Sequence, residues 1–166
     1  MPVLLLAITL TLLAACGSSN NGDNASVDIE ALFEEIKETV KADGDEELTG
    51  MMDGSLLEAD EPMIEMVAGE LDISEADIEE GYILASAMNI NADEIILLEA
   101  KDKEKVGQLE EKLDDYLEMQ HNVWESYLPD QLAKVENTII QSKGNYIIYI
   151  TYEEPEKIEK VFNEAF

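Results

Sequence analysis

The sequence contains no arginine, one cysteine and one histidine, and these absences exclude several kinds of site. Without arginine, no bidentate guanidinium clamp for phosphate can form. A zinc site built from histidine and cysteine lacks ligands, and a Ser-His-Asp triad would depend on His121 alone, with no G-x-S-x-G turn to present a serine. No glycine-rich phosphate-binding loop is present either. We therefore predict no catalytic residue, no cofactor and no metal site.

Positive charge is scarce as well. The chain has 10 lysines against 39 aspartates and glutamates, for a formal net charge of -29. Proteins bind nucleic acids and anionic lipid headgroups largely through lysine and arginine, so this composition excludes nucleic acid as a partner. Because 46% of the residues are hydrophobic, we expect the acidic side chains to form a solvated shell around an ordinary core. The alternative is a loose store of divalent cations.

An uncharged apolar run extends from Val3 to Ala15 and precedes the only cysteine. It is shorter than the roughly 20 residues that a membrane-spanning helix needs, and its length is typical of the h-region of a signal peptide. The run ends in Leu13-Ala14-Ala15-Cys16, which resembles the lipobox of bacterial lipoproteins. The resemblance implies cleavage between Ala15 and Cys16 and a diacylglyceryl group on the Cys16 thiol, which would anchor the chain at the outer face of the cytoplasmic membrane. The alternative is a core cysteine in an N-terminal helix.

The sequence divides into three segments. Residues 1–15 are the predicted signal peptide, and because Met1-Pro2-Val3 lacks the lysine or arginine that normally opens one, we expect the true start to lie upstream. Residues 16–26 comprise the lipidated Cys16 and a linker whose small polar residues are typical of a flexible tether. Residues 27–166 are long enough for one core and form a single acidic α+β domain.

Hydrophobic periodicity predicts helices at Val27–Lys41, Asp60–Leu71, Lys103–Tyr127 and Glu154–Phe166. The sequence Leu128-Pro129-Asp130 ends or bends the third helix, and Leu48–Ala59 has no clear pattern. Two hairpins are predicted, Ile78–Met88 with Asp93–Ala100 and Val135–Gln141 with Tyr146–Tyr152. We therefore expect a two-layer α+β sandwich, with a four-stranded, largely antiparallel sheet made of the two hairpins and helices packed on one face.

Two polar runs have the spacing of a calcium loop. They are Asp43, Asp45 and Glu47, and Asn89, Asn91 and Asp93. Leu48 and Glu94 stand where an EF-hand loop requires glycine, so we interpret both runs as turns, the second with Asx-turn hydrogen bonds.

Other residues with potential chemistry have structural interpretations. We interpret Met51, Met52, Met63 and Met66 as flexible core filler, with a soft-metal or hydrophobic-ligand patch as the alternative. His121 lies near the end of the third helix, where a surface or helix-terminal role is favoured over catalysis.

Several short motifs fall in the predicted domain. They are Asn91-Ala92-Asp93-Glu94-Ile95, Gln120 with Trp124, Tyr127-Leu128-Pro129, and Gly144-Asn145-Tyr146. Together they resemble the uncharacterised lipoprotein domain of many Gram-positive anaerobes, the domain of unknown function four-three-five-eight. The resemblance extends over roughly Ile29 to Phe166 and, with the lipobox, implies an extracytoplasmic lipoprotein. The family brings no known activity, so the resemblance implies no catalytic residue.

The functional expectation is a non-catalytic binding or interaction module at the cell envelope. It would be held to the membrane through the lipid on Cys16 and would bind an envelope protein or peptide. One alternative is a carboxylate-dependent envelope hydrolase, which predicts a cleft with a close acidic pair and a raised pKa on one member. Another is low-affinity binding of divalent cations.

Replacement of Cys16 tests the anchor. Because serine offers no thiol for acylation, we expect Cys16→Ser to abolish lipid labelling and to release the protein from the membrane fraction. Metabolic labelling with palmitate and membrane fractionation measure the two effects, and Ser18→Ala in the adjacent linker is the matched control. Unchanged membrane retention of Cys16→Ser contradicts the lipobox interpretation.

Overall fold

A computed structural model describes residues 26–43, 50–58 and 61–166. The predicted signal peptide, the cleavage site at Ala15 and Cys16 and the lipid anchor lie outside the described residues, as do Asp45 and Glu47. Among the helices that are described, none is both long and apolar enough to cross a membrane.

The described residues form five helices and five strands. The helices are α1 (Ile29–Ala42), α2 (Pro62–Glu70), α3 (Lys103–Tyr127), α4 (Pro129–Glu136) and α5 (Pro155–Glu164). The strands are β1 (Met51–Ser55), β2 (Ile78–Ser86), β3 (Glu94–Ala100), β4 (Ile139–Lys143) and β5 (Tyr146–Thr151). Asp28 and Asp102 cap α1 and α3, because their carboxylates accept hydrogen bonds from backbone N–H groups of the first helical turn.

The five strands form one antiparallel sheet in the order β1-β2-β3-β5-β4. The predicted number of four strands is wrong because Leu48–Ala59 contributes β1, which pairs with β2. This edge strand is short and half-buried, and it contains Asp53 and Gly54, residue types that are depleted in strands. The two predicted hairpins are present, and Gly144 adopts a φ of 64° in the turn of the second.

Helices cover both faces of the sheet, so the expectation of helices on one face is wrong. On one face, α1 and α5 pack against Leu97 and Ile148. On the other, α2 and α3 pack against Leu98 and Tyr149. The two central strands β3 and β5 therefore need apolar side chains on both sides, which explains their continuous apolar runs. The α+β class is confirmed, and the architecture is a three-layer sandwich.

The chain between α3 and β4 is helical where a strand was expected. Pro129 lies at the first position of α4, where its missing N–H leaves no hydrogen bond unmade. Val135 lies in the last turn of α4 and is buried with Ala92 and Trp124. The predicted strand Val135–Gln141 is therefore wrong in its first half, and β4 begins at Ile139.

Two neighbouring leucines test the three-layer architecture. Leu97 and Leu98 are fully buried on opposite faces of β3, so we expect Leu97→Ala and Leu98→Ala each to lower the free energy of unfolding by about 2–5 kcal/mol. Urea denaturation followed by circular dichroism measures the change. Val123→Ala on the exposed surface of α3 is the control and should change it by less than about 0.5 kcal/mol. A neutral effect of Leu97→Ala contradicts burial of that face by α1 and α5.

Candidate functional site

A pocket opens at the end of the sheet where β2 turns into β3. Its volume is about 190 Å³, and it lies between α2 and the second half of α3. Tyr116, Gln120 and Trp124 form one wall because residues four apart share a face of α3. The other lining residues come from β1, α2 and the β2–β3 segment, and include Met52, Met63, Met66, Glu70, Ser86, Met88, Asn89, Asn91, Asp93 and Glu94.

A larger cavity of about 590 Å³ lies at the opposite end of β3. Its titratable side chains include Glu99, Lys103 and Lys143, and none of these is buried. The smaller pocket contains a buried acid, and for this reason we consider it the candidate site.

Glu94 places a carboxyl group inside the core at the base of the pocket. It begins β3 on the same sheet face as Ile96 and Leu98, so the pleat directs its side chain toward α3. The residue is only 8% exposed, and the Tyr116 hydroxyl donates a hydrogen bond to its Oε1 at 3.0 Å. Burial raises the pKa of Glu94 to about 7, against the opposing effect of the Tyr116 hydrogen bond and with a further increase from the charge of Glu70.

Asp93, the preceding residue, is buried but has a cationic partner. The Lys134 ammonium on α4 lies 2.8 Å from Asp93 Oδ1. Asn91 Nδ2 donates to Asp93 Oδ2 at 2.9 Å, and the Asp93 N–H donates to Asn91 Oδ1 at 3.1 Å. The last bond is the predicted Asx turn, which is confirmed. These contacts fix the β2–β3 segment against α4 and compensate the charge of Asp93.

Trp124 is held in place by one hydrogen bond and by packing against Ala92 and Val135. Its indole Nε1 donates to Gln120 Oε1 at 3.1 Å, one turn earlier on α3. Gln131 on α4 accepts a hydrogen bond from the Ala92 N–H at 3.1 Å, which ties the β2–β3 segment to the same side. The indole therefore presents a fixed aromatic surface beside the pocket.

Exposed apolar side chains surround the mouth of the pocket. The methionine rim, as we call them, consists of Met63 at 39%, Met66 at 52% and Met88 at 40% exposure. Ile90, at 55% exposure, follows Met88 in the same segment. The interpretation of the methionines as core filler fits Met51 and Met52, which pack against the two core clusters. It is wrong for Met63 and Met66, because α2 covers the sheet with Ile64 and Val67 and directs these two outward.

The structure also places the remaining candidates. His121 is not among the pocket residues; its Nε2 lies 3.7 Å from Glu136 Oε1 at the surface. Within the described part of the chain, no group of three or more histidine, cysteine, aspartate or glutamate residues could hold a metal ion. Sequence reasoning did not identify Glu94 as a site residue. The sequence pattern of β3 could have identified it, because alternate residues of a strand share a face. Glu94 therefore lies on the same face as the buried residues Ile96 and Leu98.

The arrangement supports two kinds of chemistry. A neutral Glu94 can donate a hydrogen bond, whereas an ionised Glu94 can receive a cation that the described chain does not supply. The pocket is lined by three acids, Glu70, Asp93 and Glu94, and by no lysine or histidine. Asp93 is already paired with Lys134. Glu70 is solvent-exposed, and Glu94 is the buried acid without a cationic partner in the described chain.

The pH dependence of stability tests the buried acid. The folded protein keeps a proton on Glu94 up to about pH 7, whereas the ordinary pKa is 4.5. Folding is therefore weakened as the pH rises through this interval, and we expect wild-type stability to fall relative to Glu94→Gln by about 2 kcal/mol between pH 5 and pH 8. Urea denaturation at both pH values measures this difference.

The matched control is Glu111→Gln on the exposed side of α3. Its stability relative to wild type should stay nearly constant over the same interval. A Glu94→Gln variant that follows the wild-type pH dependence would show that Glu94 is solvated.

Comparison with known proteins gives one family. No curated protein and no solved structure matches the sequence. The family model described as a domain of unknown function, DUF4358, matches residues 52–152. This span contains α2, α3, α4 and the pocket, whereas α1 and α5 lie outside it. Because the match covers more than half of the chain and agrees with the resemblance of the short motifs, the chain belongs to the DUF4358 family.

Proposed function

We propose that the protein is a lipid-anchored, non-catalytic interaction module at the outer face of the bacterial cytoplasmic membrane, and that it docks an envelope protein or peptide at the methionine rim. The observation that carries the proposal is the rim itself, in which exposed apolar side chains surround a pocket with a buried carboxyl group. Binding sites commonly combine an apolar lining with a few fixed polar groups that orient the ligand.

The side chains of the rim suit contact with another polypeptide. Methionine is unbranched and polarizable, so it adapts to the shape of an apolar partner at small conformational cost. Behind the rim, Trp124 and the Asp93–Lys134 pair give a rigid support. Adaptable protein-binding surfaces commonly consist of flexible apolar side chains, such as methionines, on a rigid support.

The position of Ser26, the last residue of the predicted linker, supports a membrane-distal orientation of the rim. The described chain begins at Ser26, and the Val27 carbonyl accepts a hydrogen bond from the Tyr146 hydroxyl at 3.1 Å. Tyr146 pairs with Glu99 near the end of β3, whereas Glu94 and the pocket lie at its beginning. A strand of this length spans about 20 Å, so a tether that leaves from Ser26 would present the pocket on the side away from the lipid.

The second candidate function is hydrolysis by an acid pair. The observation in its favour is that Glu70 and Glu94 line the same pocket and that the pKa of Glu94 is raised to about 7, as a general acid requires. Against it, Glu70 is solvent-exposed, so the two acids do not form an enclosed pair. Hydrolysis of an envelope substrate that is lost in both Glu70→Gln and Glu94→Gln would favour this candidate.

Site-specific photo-crosslinking tests the interaction module. With p-benzoylphenylalanine in place of Met66 in the full-length lipoprotein, we expect one discrete adduct in the cells that produce it, because Met66 is 52% exposed at the centre of the rim. The adduct is detected by immunoblotting. The same amino acid in place of Glu156, exposed on α5 beyond the opposite face of the sheet, is the control and should give no such adduct. Identical patterns at the two positions contradict docking at the rim.

A further inference from the structure

We infer that the pocket receives a primary ammonium group, carried by a lysine side chain of the docked polypeptide, with Glu94 as its counter-ion. This inference rests on the proposed function and names the chemistry of the partner. It follows from three features: the lack of a cationic partner for Glu94 in the described chain, the Tyr116 hydrogen bond on one of its oxygens and the composition of the walls.

The charge of the pocket selects a cation. A buried carboxylate is costly unless it is paired, and Asp93 meets this requirement through Lys134 at 2.8 Å. Glu94 lies next to Asp93 in sequence, yet in the described chain its hydrogen-bond partner is the neutral Tyr116 hydroxyl and it forms no ion pair. Glu70 adds a second negative charge at the wall. A cation from a ligand would compensate the charge of Glu94, as Lys134 compensates the charge of Asp93.

The geometry of Glu94 favours an ammonium over a guanidinium group. Oε1 accepts the hydrogen bond from Tyr116 at 3.0 Å, which leaves Oε2 as the less occupied oxygen. A guanidinium group is best bound by both oxygens of a carboxylate in a planar fork, whereas an ammonium group acts as a compact point charge. A guanidinium fork would have to share Oε1 with the Tyr116 hydroxyl, so the pocket of about 190 Å³ suits lysine better than arginine.

The walls suit the stem of a lysine. Met52, Met63, Met66 and Trp124 line the route to Glu94, and a lysine side chain can bury its methylene groups against such surfaces while its charged end reaches a polar group. The net charge of -29 also favours association with a basic partner. The exposed methionine rim can contact residues on either side of the bound lysine. For this reason we propose a polypeptide, and not a free amine, as the ligand.

Binding should depend on pH because Glu94 must be ionised to hold the cation. The groups around it are Glu70 on α2, Tyr116 on α3 and Tyr149 on β5, and the Asp93–Lys134 pair lies next to it. Among these, Glu94 has the pKa of about 7. If binding requires the carboxylate, the apparent affinity should rise about tenfold from pH 6 to pH 8, in proportion to the ionised fraction.

The test uses the full-length protein in detergent and the fluorescence of Trp124, the only tryptophan, which lines the pocket. The probes are the peptide acetyl-Leu-Lys-Leu-amide, the same peptide with Nε-acetyl-lysine, and n-butylammonium. We expect saturable binding of the lysine peptide, at least tenfold weaker binding of the acetyl-lysine peptide, and at least tenfold weaker binding of n-butylammonium. Glu94→Gln should weaken lysine-peptide binding at least tenfold and remove its pH dependence, whereas Glu111→Gln should change neither.

Three results would overturn the inference. They are equal binding of the lysine and acetyl-lysine peptides, unchanged binding to Glu94→Gln, and binding of n-butylammonium as tight as that of the lysine peptide. The crosslink from Met66 separates this inference from the proposed function. A Met66 adduct that persists in the Glu94→Gln background, together with equal binding of the two peptides, leaves the interaction module intact and removes the ammonium ligand.

Discussion

The structure depends on the burial of β3 on both of its faces. Its residues from Ile95 to Leu98 are fully buried, and β5 beside it is equally enclosed. A central strand of this kind requires a helical layer on each side, because neither face can be left to water. The layer of α1 and α5 and the layer of α2 and α3 meet this requirement. The acidic side chains are consequently confined to the outer surfaces, the strand ends and the segments between elements.

The candidate site is a product of that same constraint. Because β3 is buried from its first residue, Glu94 lies under α3 and is exposed only slightly, toward the pocket. Asp93 and Glu94 are consecutive acids with opposite electrostatic situations: Lys134 compensates the first, while the second is bonded to a neutral tyrosine and shares its pocket with Glu70. A protein with 39 acidic residues can solvate nearly all of them. An acid that is retained inside, next to an exposed apolar rim, is better explained by a ligand than by stability, since a buried uncompensated carboxyl weakens folding at neutral pH.

The two helical layers differ in their relation to the family. The segment matched by DUF4358 contains the sheet from Met52 onward and the layer with the pocket, whereas α1 and α5 lie outside it. The site thus belongs to the part of the chain that defines the family. The beginning of the described chain, at Ser26, lies near the opposite end of β3 from the pocket.

The sequence by itself determined the elements whose signals are local. Periodicity predicted α1, α2, α3 and α5 and the two hairpins, apart from the first half of the strand Val135–Gln141, and the short motifs identified the family. Only the tertiary structure decided what depends on contacts between distant segments. β1 has weak strand propensity and exists through its pairing with β2. The presence of a helical layer on each face of the sheet follows from the continuous apolar runs of β3 and β5. Periodicity alone does not show that such runs are buried on both faces. The pocket forms where α2, α3 and the β2–β3 turn meet. Glu94 differs from the other acids because it is buried beside Tyr116 without a cation. Packing between distant segments creates this environment, so no single segment of the sequence predicts it.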